Sequence, residues 1–349
     1  MRQSNIELLR ILSILLVCIL HANFSSLDFP DISGKSSSLI IDFIRLEYES
    51  IALVSVNVFI LISGYFSIRL SSKRIISLCF TVFFWSVLLF FASVCFGWLS
   101  LPQGFKLLIP GLNDWFVQCY LLLVLVSPLC NYFVVNISIA DLKKYILVFL
   151  ALEFLFGWLV FWGHAFYGGY SLLHFIGIYL IGRYIKLSKF KINMPVRKAI
   201  LGFLILMSIP VVGLLTALYF LETENIRVFL IQRFTAYSSP FNIIGAVLLL
   251  LIFKKFILQS KIINNLSTAV FSVYLIHTFP PVFHWYKSLS YELFSWNNML
   301  WTIFLPLLVC SIFAIGYLLD RMRIYAYNII MYLLKHGKFS LKSRWEVYN

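Results

Sequence analysis

A chain of 349 residues that is 61% apolar and only 12% charged, with a mean hydropathy of +0.93, cannot keep its surface in water, so a soluble domain is excluded. Its formal net charge of +14 does not mark a nucleic-acid binder, because the basic residues alternate with apolar runs, as charge that sets membrane topology does. The six cysteines (Cys18, Cys79, Cys95, Cys119, Cys130 and Cys310) all fall inside apolar runs with no C-x-x-C pair, which speaks against a disulfide framework or a zinc site.

The first apolar window, Ile6–Leu27, follows a basic start but has no small-residue cleavage site after it, and reads as a retained membrane span. Between Ile11 and Leu20 it carries no charge; Arg10 stands before this run and His21 after it. On an α-helix eleven positions turn through about 1100°, about 20° beyond three full circles. Arg10 and His21 therefore share a face with Ile14 and Val17, roughly 16 Å apart along the axis. An ionisable side chain at such depth costs on the order of 2.5–3.5 kcal/mol for arginine and marks a functional site by default. The plainer alternative is a snorkelling Arg10 and a neutral, packed His21.

Nine more apolar windows follow: Ile51–Ile68, Ile75–Phe96, Trp115–Val135, Tyr145–Trp162, Tyr170–Ile185, Ile200–Phe220, Tyr237–Phe253, Leu266–Trp285 and Met299–Leu319. None shows the period-2 alternation of a barrel strand, so the expected fold is all-α, a polytopic bundle of about ten transmembrane helices. Most of the 28 basic residues fall on one set of connections and most acids on the other. The positive-inside rule then places both termini in the cytoplasm.

The second window ends Ser63-Gly64-Tyr65-Phe66, a small pair that lets a helix or a ligand come close, with Arg69, Lys73 and Arg74 just beyond it. These cations suit the phosphates of an anionic cytosolic ligand, or serve topology alone. The fourth window opens Asn113-Asp114-Trp115 and carries Tyr120 deeper. Glu153 is the one acid near the middle of a span, and should pair with His21 or Arg10. The ninth window carries Tyr274 and His277, a second membrane histidine. Past Leu319 the basic tail holds an apolar, tyrosine-rich stretch, Ile324–Leu334, short enough to lie in the interface. No P-loop, G-x-S-x-G elbow, G-x-G-x-x-G or H-E-x-x-H is present, and His164 and His174 lack metal-ligand spacing.

Arg10-x10-His21 within NIELLRILSILLVCILH, VNVFILISGYF in the second window, WFVQCYLLLVLVSP in the fourth, FIGIYLIGRYIK in the sixth and FSVYLIH in the ninth resemble the acyltransferase-3 family of integral-membrane acyltransferases. Its members include bacterial O-acetyltransferases of surface polysaccharides. The resemblance implies a membrane acyltransferase domain over residues 1–320 and a basic cytoplasmic tail over 321–349. It implies transfer of an acyl group, usually acetyl, from acyl-CoA to a glycan or glycolipid hydroxyl, in the bacterial cytoplasmic membrane, with no permanently bound cofactor, metal or nucleic acid. His21 would be the base or acyl relay, supported by Arg10, and Arg69 would touch the donor; the further assignment, Glu153 orienting His21, rests on its mid-span position and not on the resemblance. By their positions in the expected bundle, Lys73, Arg74, Ser63 and Gly64 would join Arg69 at the donor, and Trp115, Tyr120, Tyr274 and His277 would support the acceptor side. The basic run departs from the family pattern, since Leu70-Ser71-Ser72 separate Arg69 from Lys73-Arg74. The competing class is a transporter or flippase for polysaccharide precursors; its expected repeated halves and broken helices are not visible in the sequence.

Overall fold

A computed structural model describes residues 3–30, 38–101, 107, 114–160, 165–221 and 223–345, with side chains to residue 333. Asn113, His164 and part of the loop between the first two spans lie outside the described residues, as do Trp162 and Phe161 at the end of the fifth expected span. The described residues are mostly helical, with no strand among them.

The bundle is built around α3 (Leu39–Phe66), a 28-residue helix that packs on α1 (Ser4–Ala22), α7 (Leu172–Leu187), α8 (Val196–Phe220) and α10 (Pro240–Phe253). Ser38 starts α3 by accepting the Ile41 amide on its hydroxyl at 3.3 Å, meeting one of the orphan donors of a helix N-terminus. The α3–α7 contact is close because both helices bring glycine to it. A Cβ at Gly64 would stand 2.1 Å from the Tyr179 carbonyl oxygen, and one at Gly182 2.3 Å from the Leu61 carbonyl oxygen. Without side chains at these two points the backbones can touch.

Around this centre lie the short α2 (Phe24–Leu27), α4 (Ser72–Cys95), α5 (Trp115–Val135), α6 (Ile139–Leu152) and α9 (Glu224–Phe234). The chain closes with α11 (Lys261–Leu266), α12 (Val270–Thr278), α13 (Pro280–Trp296) and α14 (Asn298–Trp345).

Six of the described helices are long and apolar enough to cross a bilayer, or seven if a bent pair counts as one span. The remaining expected spans are short. The fifth is 14 α-helical residues followed by a π-helical segment, Glu153–Leu159; α7 has 16 residues and α10 has 14. The ninth is broken: Lys261–Thr278 and Pro280–Trp296 meet at 83°. Phe279 adopts extended backbone (φ −61°, ψ 126°) before Pro280-Pro281, because the pyrrolidine ring disfavours helical conformation in the residue before it. The tenth continues past Leu319 without a break, so Ile324–Leu334 prolongs the same helix rather than forming a separate one.

Candidate active site

His21 sits in the last turn of α1, where backbone carbonyls lack helical partners. Neighbouring helices supply them. Tyr286 donates from its hydroxyl to the Cys18 carbonyl at 2.9 Å, and Ser290 to the Ala22 carbonyl at 2.6 Å. The Trp301 indole N–H donates to Ser290 in turn, and Tyr286 and Trp301 are fully buried. On the other side Asn23 donates to the Arg45 carbonyl and to the Glu49 carboxylate, tying the end of α1 to α3. The ring of His21 thus stands on a fixed base, with Phe283 edge-on at 5.0 Å.

Two histidines then form a hydrogen-bonded pair. Nδ1 of His277 lies 2.8 Å from the Val273 carbonyl, and Nε2 of His277 lies 2.9 Å from Nδ1 of His21. A carbonyl only accepts, so in the neutral pair His277 carries its proton on Nδ1 and its Nε2 is the acceptor. Nδ1 of His21 must then donate, and Nε2 of His21, without a hydrogen-bond partner among the described residues, is left with a lone pair. The hydrogen-bond network assigns this tautomer.

His21 lines a cavity of about 220 Å³ with Trp85, Asp114, Trp115, Tyr274 and Phe283. A second cavity of about 250 Å³ holds Arg10, Phe59, Ser63, Phe116, Tyr120 and Tyr274. Between them lies a void of about 30 Å³, walled by Val17, His21, Phe59, Trp115, Phe116, Tyr237 and Tyr274. Tyr274 borders all three, so the arginine cavity and the histidine cavity are neighbours along one face of α1. An open groove lined by Arg74, Ser77, Thr81, Thr268, Ser272 and Arg323 shares Leu78, Thr268 and Phe271 with the arginine cavity.

The polar groups facing these spaces are held in place. Asp114 caps α5, accepting the Phe116 and Val117 amides at 3.0 and 3.1 Å, and accepts the Tyr274 hydroxyl at 2.8 Å. Burial raises the Asp114 carboxyl above its ordinary range, and these hydrogen bonds oppose it. Trp115 sits among Tyr170 and Tyr237, with ring centroids at 4.5 and 5.4 Å. Trp85 is 1% exposed, and its indole N–H has no partner among the described residues.

The structure separates the residues expected to act together. Arg10 ion-pairs with Glu7 at 3.3 Å and lies over the Phe66 ring. Ser63 lines the arginine cavity, 3.5 Å from the Tyr120 hydroxyl, but Gly64 faces α7 and serves helix packing. Arg69 and Lys73 are exposed beyond α3 and line none of the cavities described above; Arg74 lines the groove and donates to the Arg69 carbonyl. Glu153 does not meet His21. Its carboxylate lies 2.7 Å from Nδ1 of His174, whose Nε2 lies 2.7 Å from Asn57 Oδ1. All three are buried on the far side of α3, so the triad geometry expected for Glu153 is not formed.

Sequence reasoning gave His174 no role, since its partners Asn57 and Glu153 come from two other elements, and gave none to Asp114, although a lone Asp before an aromatic run is a helix N-cap signal. Among the described residues no cluster of three His, Cys, Asp or Glu side chains could hold a metal ion. A family model described as an acyltransferase domain matches residues 3–321 of the chain. No curated protein and no solved structure matches it.

Proposed function

The chain belongs to that acyltransferase family, and on this footing we propose that it moves an acyl group, acetyl in the simplest case, from cytosolic acyl-CoA to a hydroxyl of a cell-surface polysaccharide or its lipid-linked precursor. The observation that carries the proposal is the His21–His277 hydrogen bond beside a cavity that His21 lines: it leaves His21 a neutral imidazole with its Nδ1 proton held by His277 and Nε2 as the base.

A sugar hydroxyl is a weak nucleophile and needs a base as it attacks. In the proposed reaction Nε2 of His21 takes the hydroxyl proton while the oxygen bonds to the thioester carbonyl. The tetrahedral adduct then expels the sulfur as the C–S bond breaks, and the imidazolium returns the proton to it. The products are the ester and CoA thiol. Trp85 lines the same cavity, and its indole N–H, without a partner among the described residues, would be the donor to the oxygen that gains charge. Arg10 stands roughly 16 Å along α1 from His21, too far for the reacting carbon, and suits the phosphates of the donor. With Arg74 and Arg323 in the adjoining groove it makes a cationic approach from one end of the bundle.

The charge alternation supports ten crossings with both termini in the cytoplasm. The donor would then enter at the arginine end and the acceptor at the Asp114–Trp115 end, in the bacterial cytoplasmic membrane. A transporter needs no aligned base, and the paired histidines favour chemistry over passage. Mass spectrometry of surface glycans from cells with and without the protein tests the proposal. A difference of one acetyl unit per repeat supports it, and identical glycans refute it.

A further inference from the structure

Away from the histidine cavity, a crevice of about 210 Å³ opens between the end of α6 and the start of α10, lined by Leu150, Glu153, Phe154, Ser238, Pro240, Ile243 and Ile244. Its rim is apolar and turned outward: Phe154 is 42% exposed and Ile244 49%. In a membrane bundle such a surface faces lipid. Its wall is the π-helical segment Glu153–Leu159, a distortion often found at functional sites.

Two side chains in the wall can hydrogen-bond. The Ser238 hydroxyl already donates to the Gly157 carbonyl at 2.7 Å. Glu153 is 1% exposed, and its Oε2 has no hydrogen-bond partner among the described residues. The state of that oxygen follows from its neighbours. The Asn57 amide donates to the Tyr237 carbonyl, so Asn57 Oδ1 accepts and Nε2 of His174 carries a proton. One further proton then lies between Nδ1 of His174 and Oε1 of Glu153. Whichever atom holds it, the pair is neutral overall and Oε2 is an acceptor. A buried acceptor left unmatched is costly.

We propose that this crevice binds a membrane amphiphile whose polar end is a hydroxyl, donating to Glu153 Oε2 while its chain lies against Phe154, Ile243 and Ile244. A hydroxyl fits better than an ammonium, which would add net charge to a neutral pair in apolar surroundings. The site is separate from the acyl-transfer reading and stands or falls without it.

The test uses protein in phosphatidylcholine nanodiscs, a lipid without hydrogen-bond donors, and a long-chain alcohol carrying a mid-chain diazirine. Its methyl ether, of equal chain length, is the control. Photolysis should label peptides containing Leu150–Phe154 or Pro240–Ile244 on the order of tenfold more with the alcohol than with the ether, the worth of one hydrogen bond. Ile244→Trp, on the outward rim, should abolish this labelling in folded protein, and Glu153→Leu should remove the preference for the alcohol. Equal labelling by alcohol and ether in the wild type, or labelling undiminished in Ile244→Trp, would overturn the proposal and leave Oε2 to a water molecule.

Discussion

Replacing His277 by alanine removes the acceptor of the 2.9 Å hydrogen bond from Nδ1 of His21. The buried N–H left behind costs about 1–3 kcal/mol. The ring relieves it by turning or by moving its proton to Nε2, and either loses the aligned base. At about 1.4 kcal/mol per factor of ten, misorientation alone predicts a 5- to 150-fold loss. Loss of general-base catalysis predicts about 10²–10⁴. The expected result is a kcat reduced about 10²-fold or more with KM for acyl-CoA unchanged, since Arg10 and Arg74 line other spaces. His277→Gln offers an amide oxygen as acceptor and should recover part of the rate. The assay follows CoA thiol release from acetyl-CoA with membranes that bear the acceptor. Wild-type kcat in His277→Ala, or a rise in KM with kcat unchanged, would refute this role of His277.

Three further outcomes follow from the same geometry. Trp85→Phe keeps the ring and removes the N–H, so kcat should fall by about 10²–10³ while expression and CoA binding persist; unchanged turnover would remove Trp85 from the reaction. Gly64→Ala drives a methyl group to 2.1 Å from the Tyr179 carbonyl oxygen, and should destabilise the α3–α7 contact by about 1–3 kcal/mol, read as a lowered Tm in detergent. Arg74→Glu should weaken CoA binding in calorimetry more than Arg69→Glu, because Arg74 lines the groove and Arg69 lines none of these cavities; equal losses would move the donor site to the α3–α4 connection.

The first helix was legible almost completely from its residues. An uncharged run bounded by Arg10 and His21 at helical spacing gives α1 and the face that carries both side chains, and α1 is one unbroken helix. The ninth span was legible only in part. It reads as one apolar window that runs straight through Pro280-Pro281, and hydropathy alone does not register the 83° turn that leaves His277 near a helix end. Gly64 shows why small residues mislead: glycine suits a ligand and a neighbouring backbone equally, and only the position of Tyr179 decides between them. Glu153 fails for a related reason. A mid-span acid requires a partner, but which histidine it meets depends on how α3, α6 and α7 pack, and His174 rather than His21 lies within reach. The cationic groove was half visible, since Arg74 stood in the expected cluster while Arg323 comes from the far end of the chain, held by Asp320 at 2.6 Å.

The role of His21 as the base is tested by transfer of isotope-labelled acetyl from acetyl-CoA to the glycans of membranes containing purified, reconstituted protein, wild type against His21→Ala. Labelled ester is expected in the wild type and none above background in His21→Ala, with CoA affinity retained because Arg10, proposed for the donor phosphates, lies roughly 16 Å away along α1. Labelled ester formed by His21→Ala at the wild-type rate would contradict that role.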